Sequence, residues 1–125
     1  MDFKASKTIY MQIADSICEN ILKGYYAAET KIPSVRELAA EKGVNPNTIM
    51  RSFMDLQSRN IIKNQRGIGY FVEPKATDII TQERKDQFFT EEFPDLLNKL
   101  SLLRLTKKEI QNIIDQIKNV GNGNK

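Results

Sequence analysis

Apolar residues fall at Ile9, Ile13, Ile17 and Ile21, every four positions, with Tyr10, Ala14 and Leu22 widening the stripe. That spacing predicts an amphipathic helix over residues 9–23. Thr8 suits its cap, and Gly24 ends it as a residue tolerant of positive φ. Residues 25–33 read as a connection. Ser34-Val35-Arg36-Glu37 is a capping box, in which the serine hydroxyl and the glutamate carboxylate satisfy two otherwise free amides. A short second helix therefore starts at Ser34, turns Leu38 and Ala39 inward and stops at Gly43. Asn45 can cap a third helix with Pro46 in its first position, where a missing amide costs nothing. Ile49, Phe53 and Leu56 mark its buried face as far as about Arg59.

Beyond Arg59 the pattern changes to strands. Ile61-Ile62 opens one, Asn64-Gln65-Arg66-Gly67 makes the turn, and Ile68 to Val72 returns, with Tyr70 and Val72 packing toward the body. Two helices joined at Gly43-Val44, followed by a hairpin with a basic, glycine-rich tip, give the layout of a winged helix-turn-helix over Lys31 to Val72.

Glu73-Pro74 closes this head. From Asp78 to Leu103 the composition is helical, and Phe89, Phe93, Leu96, Leu100 and Leu103 follow one another at steps of four, three, four and three. This is a heptad-like seam, with Phe88, Leu97 and Leu102 beside it. Pro94 lies inside the seam and either kinks one long helix or restarts it after a break near Thr90. Thr106-Lys107-Lys108-Glu109 is a second capping box, and Ile110, Ile113, Ile114, Ile117 and Val120 form the stripe of the helix it starts. Gly121 to Lys125 is a polar tail expected to fray. The apolar surface of the two helices exceeds what one hairpin can hide, which points to a second copy of the chain. Folding back onto the head is the alternative.

The expected fold is thus mainly α with a small β-hairpin. A winged helix-turn-helix occupies residues 1–75, and a C-terminal two-helix dimerisation hairpin occupies residues 76–125. The dimer seam is assigned to Phe89, Phe93, Leu96, Leu100, Leu103, Ile110, Ile113 and Ile117.

Charge sharpens the picture through its distribution. Across 125 residues 19 Lys and Arg face 16 Asp and Glu, a net +3 that is too small to identify a polyanionic partner. Residues 44–75 hold Arg51, Arg59, Lys63, Arg66 and Lys75 against Asp55 and Glu73, so the whole excess sits there. With no histidine and Cys18 alone, an intramolecular disulfide and the usual Cys/His zinc sites are excluded, and no set of nucleophile, base and orienting group can be assembled. Neither an enzyme nor a cofactor is expected, and Cys18 reads as a buried filler. The opening MDFKASK lacks the apolar run of a signal peptide. No stretch approaches the roughly 20 apolar residues that span a bilayer. A cytoplasmic protein without membrane contact follows.

The third helix carries the candidate chemistry. Asn45 is explained at least as well by capping as by base contact. Asn47 and Thr48 lie just inside the helix, where an amide can pair with adenine and a threonine can meet polar edges or a thymine methyl in the major groove. Arg51, one turn on, can reach a phosphate or a base, and Arg66 at the hairpin apex can reach a groove or phosphate.

Ile32-Pro33-Ser34-Val35-Arg36-Glu37-Leu38-Ala39, Gly43-Val44-Asn45-Pro46-Asn47-Thr48-Ile49, Leu56 and Gly67-Ile68-Gly69-Tyr70-Phe71-Val72 together resemble the GntR family of bacterial transcription regulators. Val-Asn-Pro-Asn-Thr with a short helical tail resembles its YtrA-like subfamily. The resemblance is close over residues 8–75. It implies a homodimer on an imperfect palindrome of double-stranded DNA, with Arg36 on phosphate or base and Asn45, Asn47 and Thr48 at the start of the recognition helix. Arg66 with Gly67 would be the wing tip in the minor groove. Where many relatives outside the subfamily have arginine, this chain has Pro46 and Met50, so guanine reading by those positions is not expected. The larger relatives carry an effector domain of which the short tail has no counterpart, which leaves the effector open.

The leading expectation is a sequence-specific DNA-binding regulator: a homodimeric repressor that autoregulates its operon, with transporter or envelope-stress genes implied by the resemblance. Arg36, Arg51, Lys63 and Lys31 would supply phosphate contacts that weaken with salt. The alternative is a protein-interaction module that uses the winged head as a scaffold.

Overall fold

The computed structural model describes residues 7–123; the expectations for residues 1–6 and 124–125 lie outside the described residues. The side chain of Thr8 accepts the Met11 amide and starts α1 (Ile9–Leu22), which buries Ile13, Ala14, Ile17, Cys18 and Ile21. The capping box at Ser34 forms in full, with the Glu37 amide donating to Ser34 Oγ at 3.1 Å and the Ser34 amide to the Glu37 carboxylate at 2.9 Å. It opens α2 (Val35–Lys42), which stops at Gly43 with φ 66, a conformation that costs glycine little. α3 (Pro46–Ser58) starts on Asn45, whose side-chain oxygen accepts the Asn47 amide at 2.8 Å. Ile49, Ser52, Phe53 and Leu56 are buried along one side of α3, and they close the core against α1 and α2.

The chain leaves α3 through a residue in the left-handed region, Asn60 at φ 62. The Asn60 amide donates to Gln57 O and the Ile61 amide to Leu56 O, both at 3.0 Å. These bonds satisfy the last carbonyls and set the direction of the following strand. β1 (Ile62–Gln65) and β2 (Gly69–Val72) pair antiparallel from Ile62 opposite Val72 to Gln65 opposite Gly69. Asn64 and Gln65, expected in the turn, belong to β1, and Ile68 belongs to the tip instead of the second strand. Gly67 at φ 79 lets Arg66-Gly67-Ile68 reverse the chain, closed by the Ile68 amide on Gln65 O at 2.9 Å. The connection 25–33 adds an edge to this hairpin. Lys31 bridges Phe71, Ile32 donates to Tyr70 O at 2.9 Å and Val72 to Thr30 O at 3.0 Å.

Ser52 is the buried polar side chain of the core. Its hydroxyl donates to Tyr10 O at 2.7 Å and lies 3.2 Å from Thr48 O, so it ties the first turn of α1 to the middle of α3. Ser52→Ala should cost about 1 kcal/mol, the net worth of one such bond, read as a lowered urea midpoint at unchanged slope. An unchanged midpoint would show that the link contributes nothing.

The domain boundary expected at residue 75 falls short. α4 (Ala76–Gln87) buries Ala76 and Ile80 in the head, and the first compact unit runs to Arg84. Ion pairs reinforce this. Arg59 donates to the Glu83 carboxylate at 2.7 and 3.0 Å and to Asp55 Oδ2 at 2.7 Å. Arg84 reaches Glu19 at 2.9 Å.

In the second unit the backbone stays helical through a π turn, Phe88–Glu92, into α5 (Phe93–Leu103). The chain therefore does not break near Thr90. Pro94 has no amide for the usual partner one turn back, and the pairing shifts by one residue just before it, with the Phe93 amide on Phe88 O. Arg104 at φ 51 ends α5. The second capping box also forms, Glu109 amide to Thr106 Oγ1 at 3.1 Å and Thr106 amide to Glu109 Oε1 at 2.9 Å. It starts α6 (Lys107–Gly123), which stays helical past Gly121, where fraying was expected. Phe88, Phe89 and Phe93 form a cluster with ring centroids 5.2 to 5.9 Å apart. Of the seam residues, Phe89, Leu96, Leu103, Ile110, Ile113 and Ile117 are exposed, while Phe93 and Leu100 are half-buried. No helix among the described residues is long and apolar enough to cross a membrane.

Candidate nucleic-acid interface

Opposite its buried side, α3 presents Asn47, Met50, Arg51 and Met54, all exposed, at the i, i+3, i+4 and i+7 positions of one face. Asn45 is exposed, but its side-chain oxygen is engaged in capping, so only the amide nitrogen stays available to a base. Thr48 is half-buried in the first turn. The flanks of this face are held by neighbours. On the α1 side the Arg51 guanidinium carbon lies 4.3 Å from the centroid of the Tyr10 ring, close enough for a cation–π attraction. On the hairpin side the Tyr70 hydroxyl donates to Met50 Sδ at 3.9 Å, and the Tyr70 ring stands edge-on to Phe53 at 4.7 Å. Tyr70 thus joins the wing to α3.

Arg66, Gly67 and Ile68 are exposed at the wing tip. Lys63 and Lys31 flank Phe71 across the sheet, one on each neighbouring strand. Gly69 has φ 146, and a Cβ there would come 2.6 Å from Lys31 Cε. Glycine therefore lets the Lys31 stem lie across the wing toward its tip. Arg36 is exposed in the first turn of α2, beside Glu37, whose carboxyl the Ser34 amide holds below the usual range.

Not every cation of residues 44–75 faces outward. The hydrogen bond to Glu83, followed by that to Asp55, raises the Arg59 pKa further above its ordinary value, so its charge is used inside the head. Cys18 is buried, and burial pushes its thiol pKa up despite the nearby Arg59. That is the chemistry of a packed filler, since the thiolate is the reactive form. Among the described residues no group of His, Cys, Asp and Glu could hold a metal ion.

Residues 9–72 match the family described as bacterial regulatory proteins, gntR family. The chain belongs to the GntR family. The HTH-type transcriptional regulator YhcF of Bacillus subtilis (strain 168) is 38% identical over 108 residues, 86% of this chain and 88% of YhcF. The HTH-type transcriptional repressor YtrA of the same strain is 35% identical over 82 residues, 66% of this chain and 63% of YtrA. A GntR-family structure from Bacteroides thetaiotaomicron has a TM-score of 0.74 at 44% identity, covering 91% of this chain and 99% of the other. Within the family the chain is YtrA-like. It is a helix-turn-helix transcriptional regulator with a DNA-binding winged head.

Two elements of this GntR head were not foreseen from sequence. Tyr10 widens the α1 stripe, and its ring also carries Arg51. Tyr70 was expected to pack inward, and its hydroxyl additionally reaches Met50. Neither partner lies on the same element, so no local spacing signals the contact.

Proposed function

We propose that the chain is a cytoplasmic homodimeric repressor whose two heads occupy successive half-sites of an imperfect DNA palindrome. The observation that carries this is the split of α3: its inner side is wholly buried, while its outer side offers an amide, a guanidinium and two thioethers to solvent. A recognition helix uses such a face in the major groove. Asn47 and Thr48 read base edges, Asn45 contributes its amide nitrogen, and Arg36, Arg51 and Lys63 meet phosphates. Arg66 and Gly67 enter the adjoining minor groove. The exposed apolar faces of α5 and α6 pair with those of a second copy through Phe89, Phe93, Leu96, Leu100, Leu103, Ile110, Ile113 and Ile117. The printed role of YtrA as a repressor supports the sign of action, and the subfamily resemblance supports a transporter or envelope-stress operon as its target.

Selection of bound DNA from a random pool tests the reading and yields the half-site spacing. Asn47→Ala should then relax preference at one position per half-site by about 1–3 kcal/mol, whereas Lys63→Ala should weaken cognate and scrambled DNA nearly alike. Anisotropy titrations of both variants check the division, and identical behaviour would sink it.

A further inference from the structure

The outer face of α3 is not uniformly polar. Met50 is exposed between Asn47 and Met54 on that face, and it is the residue there that the wing holds. Its sulfur accepts the Tyr70 hydroxyl at 3.9 Å. Tyr70 is itself fixed, because its ring stands at 70° to the fully buried Phe53 with centroids 4.7 Å apart, and its backbone is paired to Asn64 on β1 and to Ile32. An unbranched thioether is ordinarily free to change rotamer. Here a strand of the wing restrains it. A restrained apolar group on the groove-facing side of a helix has one matching feature in the major groove: the 5-methyl group of thymine, the apolar mark among base edges.

We propose that Met50 determines specificity by packing on a thymine methyl, with Tyr70 as the residue that positions it. This rests on the DNA reading above and deepens it, because it assigns one position of the half-site to a chemical group instead of a hydrogen bond. Burying one methyl is worth about 0.8 kcal/mol, or about fourfold in affinity.

The test uses the full chain and the operator obtained from the random-pool selection. Each thymine is replaced in turn by deoxyuridine, which lacks only the methyl, and dissociation constants are measured for wild type, Met50→Ala, Met50→Leu and Tyr70→Phe. At one thymine per half-site the wild type should lose about fourfold, Met50→Ala should show no loss, and Met50→Leu should keep most of it. Tyr70→Phe retains the ring against Phe53 but not the hydroxyl. It should reduce the methyl effect while leaving thermal stability unchanged. Specific binding in which no thymine shows a methyl effect that depends on Met50 overturns the proposal and leaves the DNA reading intact. Absence of any sequence preference in the selection overturns both.

Discussion

Replacing Ile113 and Ile117 together by aspartate is expected to leave the protein monomeric and to weaken its hold on a full palindrome by about a hundredfold or more. Both isoleucines are exposed on α6, one turn apart, in line with Ile110, Ile114 and Val120. A stripe of that length in contact with water is unfavourable for a lone chain. Carboxylates in its centre would have to be desolvated to form the interface, which costs far more than the apolar contact returns. The loss in DNA binding follows from linkage: once one head is bound, the second is held at an effective concentration that a monomer cannot match. Sedimentation velocity and a titration on one and two half-sites measure both effects. A variant that still sediments as a dimer would refute the assigned interface. The head should be untouched, so its thermal transition serves as the internal control.

Phe53→Ala should lower the stability of the head by about 3–5 kcal/mol, the range for emptying a large core site. Phe53 is fully buried, packs with Ile49 and Leu56 in the same cluster, and supports the Tyr70 ring. Domains of ordinary stability have about 5–15 kcal/mol in total, so the variant should melt well below the wild type. A urea titration followed by circular dichroism measures the change. A loss under about 1 kcal/mol would mean that the site collapses around the cavity.

The helices of the head were legible because their signals are local. The capping box at Ser34, the Thr8 and Asn45 caps and the stops at Gly24 and Gly43 involve residues at most five positions apart, as does the box at Thr106 outside the head. The four-residue spacing of Ile13, Ile17 and Ile21 likewise reports directly on burial. What escaped depends on distant partners. The edge contributed by Lys31 is a single bridge, too short to leave an alternation. α4 reads as polar because only Ala76 and Ile80 are buried, so its packing on the head leaves no stripe in the sequence. Ser52 is a neutral helix residue until Tyr10 O stands across from it. On the candidate interface, the sequence named Asn47, Thr48, Arg51 and Arg66 from their positions. It could not show that Met50 and Arg51 are each held from outside their own helix.

Arg59 contributes to the basic excess of residues 44–75, but its position between Asp55 and Glu83 uses that charge inside the head. Duplex DNA carries a condensed layer of small cations, and each protein charge that settles on a phosphate displaces some of them into solution. A guanidinium already closed by two carboxylates displaces none. If the proposed phosphate contacts of Arg51, Lys63 and Arg66 hold, the number of ions that residues 44–75 liberate on DNA would be smaller than their basic composition suggests.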